Sequence, residues 1–227
     1  MNILFCHKLD KLSGWGTLAL NYIKFFSKDN LIILCNKKNS NLDIKQYEVL
    51  RQPLEYVRNP LKLILDQGII KEILKKHSKN DNLNVHYLVE PYIFFDFLLK
   101  KFFKKRVFYL IGTYSKLFLT SWKWRFIFKL ILSQKSEVLF LSTFIKKILK
   151  KKFNFQTNKT YIMNPYVNET FDLKHQVIKK KTDKLNIITV GALKYRKGQL
   201  ELIKIIKDII LKYKKKKYSI NFSWITR

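Results

Sequence analysis

Acidic residues are scarce in this 227-residue chain: 16 Asp and Glu stand against 46 Lys and Arg, a formal net charge of +30. Three readings of that imbalance stay open. Cations of this number suit the phosphates of nucleic acid, whose counterions they release. They equally suit an anionic membrane surface. The third is coding bias, since Lys, Asn, Ile and Phe are abundant together. Whatever its origin, the sign attracts polyanions. Glycine and proline are also few, six and four, which excludes long flexible linkers. The two cysteines, Cys6 and Cys35, make no disulfide framework and no metal or redox spacing. Each ends an apolar run, where a reduced, buried thiol is ordinary, so a reducing cytoplasm is the expected compartment. The start, MNILFCHKLDK, lacks the pattern of a signal peptide. The longest run without a charge, Leu12 to Ile23, has twelve residues, too few to span a bilayer. The expectation is a cytoplasmic protein, soluble or peripheral on the inner face of the membrane.

What is present is a large apolar share, 47%, arranged as short strand-like runs alternating with helical stretches. Asn2–Cys6, Leu31–Cys35 and Tyr47–Leu50 read as strands. A helix after the first strand carries Leu18, Tyr22 and Phe25 on one stripe, with Ala19, Ile23 and Phe26 beside it. Pro60 opens a second helix, with Leu61, Leu65, Ile69 and Ile73 as its strong apolar side. Val85–Val89 reads as a strand, Pro91–Phe103 as a helix, Val107–Ile111 as a strand and Lys116–Ser133 as an aromatic-rich helix. Val138–Leu141, Thr143–Phe153 and Tyr161–Met163 follow as strand, helix and strand. Continuous apolar strands alternating with helices mean a parallel sheet covered on both faces. The fold class is therefore α/β, a doubly wound, Rossmann-like domain over residues 1–170. Residues 171–184 are lysine-rich and read as a linker. The pattern restarts in 185–227, with strand Asn186–Val190, helix Gln199–Leu211, whose Leu202, Ile205, Ile206 and Ile209 share a face, and strand Ser219–Ile225. Two strands and a helix are too little for an independent α/β domain, so this second Rossmann-like domain reads as incomplete. The alternative is an appendage docked on the first domain.

In such sheets ligands bind at the carboxyl ends of the strands. Three loops qualify. Ser13-Gly14-Trp15-Gly16-Thr17 follows the first strand, and its glycines let a ligand or backbone approach closely; a plain strand-to-helix turn has the same composition. Ile111-Gly112-Thr113-Tyr114-Ser115 offers hydroxyls and a glycine, or simply caps the next helix. Gly191 to Gln199, with Lys194, Arg196 and Lys197, ends a strand and opens a helix. Cations beside helix amides suit a diphosphate, while a solvated basic loop is the plain alternative. Four histidines are present and none stands at metal-ligand spacing; His7, after the first strand, is the one placed to face a cleft. Glu90 and Asp96 flank Pro91, as acceptor contacts or as helix-start carboxylates.

The segment Gly191–Leu202, GALKYRKGQLEL, resembles the start of the second domain in family-4 retaining glycosyltransferases of the GT-B fold. Three more segments are similar in order: Asn2–Leu20 to the opening strand and glycine loop, Glu137–Phe153 (EVLFLSTFIKKILKKKF) to a strand, Ser-rich turn and helix, and Tyr161–Phe171 (YIMNPYVNETF) to the crossing between domains. The resemblance implies a GT-B amino-terminal half followed by a truncated nucleotide-sugar domain. It implies transfer of a hexosyl group, with retention, from a nucleotide-diphosphate sugar to a glycan or lipid-linked acceptor, as in polysaccharide biosynthesis, without a metal or other cofactor. Lys197 would then hold the donor diphosphate, helped by Arg196, Lys194 and the Gly191 turn. Gly14 and Gly16 would shape the cleft between the domains and Gly112 and Thr113 would sit near the acceptor, on the cleft that His7 is placed to face. Two positions depart from the family pattern: Ala192 replaces an Arg, and Ile111 stands where a His is frequent. The family's paired-glutamate donor motif lies beyond residue 227. The chain as it stands is accordingly expected to be inactive in sugar transfer, and no catalytic residue is assigned.

The rival reading is a non-catalytic basic module. Between residues 94 and 132, Trp122, Lys123, Trp124 and Arg125 lead a run in which aromatics interleave with cations. That pattern fits a helix lying on anionic lipid and, less well, single-stranded nucleic acid. A helix covering the sheet with a lysine-rich outer side has the same pattern.

Overall fold

The computed structural model describes residues 1–10, 13–78, 83–110, 122, 125, 126, 129, 136–153, 159–163, 186–190, 199–212 and 221–225. The chain divides into two compact units, Met1–Val167 and Asn168–Arg227.

The first unit is an open α/β sheet of seven strands. Its strands are β1 (Asn2–Phe5), β2 (Leu31–Cys35), β3 (Lys45–Glu48), β4 (Leu83–Tyr87), β5 (Phe103–Leu110), β6 (Glu137–Phe140) and β7 (Lys159–Ile162). Their spatial order is β3-β2-β1-β4-β5-β6-β7, and every neighbouring pair is parallel. The central strands form because they are uninterrupted apolar runs. Ile3, Leu4 and Phe5 of β1, and all five residues of β2, are buried, as strands covered on both faces must be. Strand order reverses at β1, and crossovers of one hand then lie on opposite faces either side of it. This is the doubly wound, Rossmann-like arrangement, with β3 and β7 as the edges of the described sheet.

Helix α1 (Gly14–Ile23) connects β1 to β2. Helices α2 (Pro53–Arg58) and α3 (Leu61–His77) carry the chain from β3 to β4. Helix α4 (Phe94–Leu99) precedes β5, and α5 (Thr143–Phe153) joins β6 to β7. Aromatic rings fill the layer between sheet and helices: Phe5 lies 4.8 Å from Tyr87 and 5.8 Å from Phe95 between centroids, and Tyr56 meets Phe95 edge-on at 5.1 Å.

Five local expectations are corrected. Helix α1 already begins at Gly14 and ends at Ile23, so its buried side is Gly16, Ala19, Tyr22 and Ile23, while Phe25 lies beyond its end and is exposed. Helix α3 turns a different stripe inward from the one its apolar residues suggest. Leu63, Asp66, Ile70, Ile73 and Leu74 are buried, and Leu61, Ile64, Leu65 and Ile69 are exposed. The reason is Asp66. Arg51 Nε donates to it at 2.9 Å and the Tyr56 hydroxyl at 2.8 Å, and this bonded carboxylate fixes the inner face. The stretch expected as one helix from Pro91 to Phe103 is a 3-10 turn at Glu90–Ile93, the short α4, and a second 3-10 turn at Lys100–Phe102. Strand β5 then starts at Phe103, four residues earlier than its apolar run, with Lys104 and Lys105 exposed. Finally β3 lies at Lys45–Glu48 rather than Tyr47–Leu50.

The second unit contains β8 (Asn186–Val190), α6 (Gln199–Lys212) and β9 (Asn221–Ile225). Its two strands pair in parallel, Asn186 against Asn221 through Val190 against Ile225. Along α6, Ile206 is buried, whereas Ile205, expected on the same face, is exposed. No helix among the described residues is long and apolar enough to cross a membrane.

Candidate functional site

The reversal of strand order puts the carboxyl ends of β1 and β4 side by side. Crevices outside such ends are where open α/β sheets bind ligands. Chain leaving β1 supplies His7, Asp10 and Ser13; chain leaving β4 supplies Glu90; chain leaving β6 supplies Ser142 and Thr143.

The turn after β1 is built by a relay of short hydrogen bonds. Asp10 Oδ1 accepts from the backbone N–H of Ser13 at 2.9 Å and from its hydroxyl at 2.8 Å. Ser13 Oγ in turn accepts from Gly16 N–H at 2.9 Å, capping α1. Gly16 is buried because the turn folds back over it. A Cβ at this position would strike the Asp10 backbone oxygen and crowd its Oδ1. Gly14 is different: it is exposed, and a Cβ there would meet nothing within 4 Å. Of the two glycines expected to shape the cleft, Gly16 serves close packing of this turn, and Gly14 leaves the first turn of α1 open. Asp10 is the residue that sequence reasoning missed; its signal was a carboxylate three positions before a capping serine.

His7 is half-buried at the end of β1, and its backbone oxygen accepts from Asn36 N–H at 2.9 Å. Nδ1 of its ring is buried without a hydrogen-bond partner among the described residues. Burial, followed by the adjacent Lys8, lowers its pKa, while Asp10 acts the other way. The ring is thus held neutral, as a group that accepts or donates a hydrogen bond rather than as a cation. Glu90 is buried in the turn after β4. Ser142 Oγ accepts from Ile145 N–H at 3.3 Å at the start of α5.

Asp96 is not a cleft residue. It is fully buried, Arg106 donates to it at 3.2 Å, and the Tyr87 hydroxyl stands 3.5 Å away. Burial pushes its pKa up to about 6 against the pull of Arg106. His86 is likewise internal. Asn2 Oδ1, which only accepts, stands 3.4 Å from Nε2, so Nδ1 is the nitrogen left to accept from the Tyr22 hydroxyl at 3.0 Å. The two thiols, Cys6 and Cys35, are free and buried, and burial raises the pKa of both. Among the described residues no three His, Cys, Asp or Glu side chains gather as a metal site.

Gly112, Thr113, Gly191, Lys194, Arg196 and Lys197 lie outside the described residues, as do Lys123 and Trp124. Trp122 and Arg125 are helical and exposed.

No protein-family model matches the sequence, and no curated protein matches it. Among solved structures, Anabaena Alr3699/HepE, crystallised in complex with UDP-glucose, is similar over 100% of this chain and 70% of its own, with a TM-score of 0.55 and 13% sequence identity. At that identity the likeness is one of fold: the chain shares the α/β architecture of a protein that binds a nucleotide sugar.

Proposed function

We propose that the chain belongs to a glycosyltransferase that moves a hexosyl group, with retention, from a nucleotide-diphosphate sugar to a glycan or lipid-linked acceptor, in the manner of family 4. The observation that carries this reading is the switch point at β1 and β4. It sits beneath a helix start sealed by the Asp10–Ser13–Gly16 relay, in a fold shared with a protein crystallised with UDP-glucose.

In this reading the acceptor rests against Gly14 and His7, with Gly112 and Thr113 that follow β5 in the chain, while Gly16, buried beneath Asp10, shapes the turn behind them. Donor diphosphate is held by Lys197, with Arg196 or Lys194, and by Gly191. During transfer the bond between the sugar's anomeric carbon and the diphosphate oxygen breaks. A bond from the acceptor oxygen to that carbon forms, and the acceptor hydroxyl gives up its proton. Most of the help this chemistry needs is neutralisation of the departing diphosphate. In this reading the lysines and arginine supply that neutralisation, and no metal takes part.

Calorimetric titration of the 227-residue protein with UDP-glucose and GDP-sugars tests the donor assignment. Weak, salt-sensitive binding is expected, near millimolar, about −4 kcal/mol. Lys197→Ala should weaken it roughly tenfold or more, the value of one charge-assisted contact of about 1.5–3 kcal/mol. Binding that is indifferent to Lys197→Ala, or competed by no nucleotide diphosphate, would refute the assignment.

A further inference from the structure

The exposed apolar stripe of α3 has a neighbour. A cavity of about 560 Å³ opens between α2, α3, α4 and the helical residues Trp122 and Phe126. Tyr56 and Leu63 are its buried members, Phe94 and Leu98 are half-buried, and Phe97, Ile64, Trp122 and Phe126 stand exposed around it. Phe94 and Phe126 stack across it at 6.5 Å. Tyr56 offers this space only its ring, because its hydroxyl donates to Asp66 and accepts from Arg51 N–H. Leu61, Leu65 and Ile69 extend the apolar surface along α3.

Cations stand on or next to this surface's elements in the chain. Arg58 lines the cavity. Arg125 and Lys129, like Trp122 and Phe126, are helical and exposed, and Lys100 and Lys101, also exposed, follow α4. Carboxylates of these elements are neutralised internally: Glu55 by Lys62, Asp66 by Arg51 and Asp96 by Arg106. Glu72, two turns further along α3 from Leu65, is the exposed exception. An apolar slot with aromatic edges and a cationic border matches one kind of partner.

We propose that this face seats on the anionic surface of a lipid bilayer, with a lipid acyl chain entering the slot. Aromatic rings at the level of the headgroups and lysines against anionic phosphates are the two ways such contacts are held. An extended peptide is a poorer occupant, because its backbone N–H and C=O groups would find almost nothing to bond in the slot. A second copy is opposed by its own net charge of +30. The inference is independent of any glycosyl transfer.

Co-sedimentation of the 227-residue protein with vesicles tests it. Vesicles of phosphatidylglycerol and phosphatidylcholine in equal parts should retain the protein, retention should fall with salt, and phosphatidylcholine alone should not retain it. Phe97→Ser with Trp122→Ser should lower partitioning by about tenfold or more, and phosphatidylglycerol brominated on its acyl chains should quench the tryptophan fluorescence less in Trp122→Ser. Circular dichroism melts accompany each variant. If the double variant melts early, Trp122→Ser alone decides, since that ring is 73% exposed. Equal binding to phosphatidylcholine, retention unmoved by the slot variants, tighter capture of single-stranded DNA, or a dimer that the same variants dissolve would each overturn the proposal.

Discussion

Gly16 lies so close to Asp10 that no side chain fits between them. The contact is with backbone, which cannot swing aside. Gly16→Ala must therefore shift the turn after β1 and should cost about 1–3 kcal/mol. Gly14→Ala meets no obstacle and should be neutral, or stabilising by up to about 1 kcal/mol, through the better helix propensity of alanine. Urea unfolding of the two single variants checks the contrast; equal effects would mean that the turn yields.

The Tyr22–His86 pair sets a pH dependence. Burial, with a smaller push from Lys105, lowers the His86 pKa to about 4. In the unfolded chain its pKa is near 6.5. Below that value the unfolded state takes up a proton that the folded state refuses, so the contribution is complete above pH 6.5 and is lost as pH falls towards 4. About two and a half units correspond to on the order of 3 kcal/mol. Asp96, raised to about 6, works oppositely: its contribution is complete below its unfolded value near 4 and is lost as pH rises to 6. The two partly cancel in the natural protein. The difference in unfolding free energy between His86→Gln and the natural protein isolates the histidine. That difference should move in the variant's favour by up to about 3 kcal/mol between pH 7 and pH 4. A difference independent of pH would mean that His86 takes up its proton in the folded state.

Tyr56 holds the inner face of α3. Its hydroxyl donates to Asp66 at 2.8 Å and accepts from Arg51 N–H at 2.9 Å. Tyr56→Phe keeps the ring packing against Phe95 but leaves a buried carboxylate oxygen and a backbone donor short of one bond each. The expected loss is about 1–3 kcal/mol, read from the urea midpoint at unchanged slope. Tyr92→Phe, which gives up a single bond to the Arg51 backbone oxygen, should cost less.

Much of the fold was legible because its strands announce themselves. Leu31–Cys35 is apolar at every position and is a strand over the same residues. In α3 and at the start of β5 the reading failed because a charged residue was doing something a pattern of apolar positions does not encode. Leu61, Leu65 and Ile69 make a better apolar stripe than the one α3 buries, yet Asp66, satisfied by residues from outside the helix, points inward. The start of β5 was hidden by Lys104, Lys105 and Arg106. These lie before the register in which β5 pairs with β6, which begins at Val107; Lys105 pairs with Glu137 and Arg106 reaches back to Asp96. At the candidate site the glycines were visible, but the partner that explains Gly16 was not. Asp10 belongs to the turn only through hydrogen bonds to Ser13.

The lysine excess has a further consequence at the two margins of the sheet. Among the described strands β3 and β7 are the outermost, and each begins with a lysine, Lys45 and Lys159. An unpaired strand margin is a template on which another chain can crystallise its own backbone, and lysine there is a deterrent. The charge that draws polyanions to the surface thus also disfavours edge-to-edge pairing between copies of this molecule. A polyanion that neutralised those two margins would remove the deterrent, so heparin or long single-stranded DNA should hasten aggregation, followed by thioflavin fluorescence, where simple salt at equal charge does less.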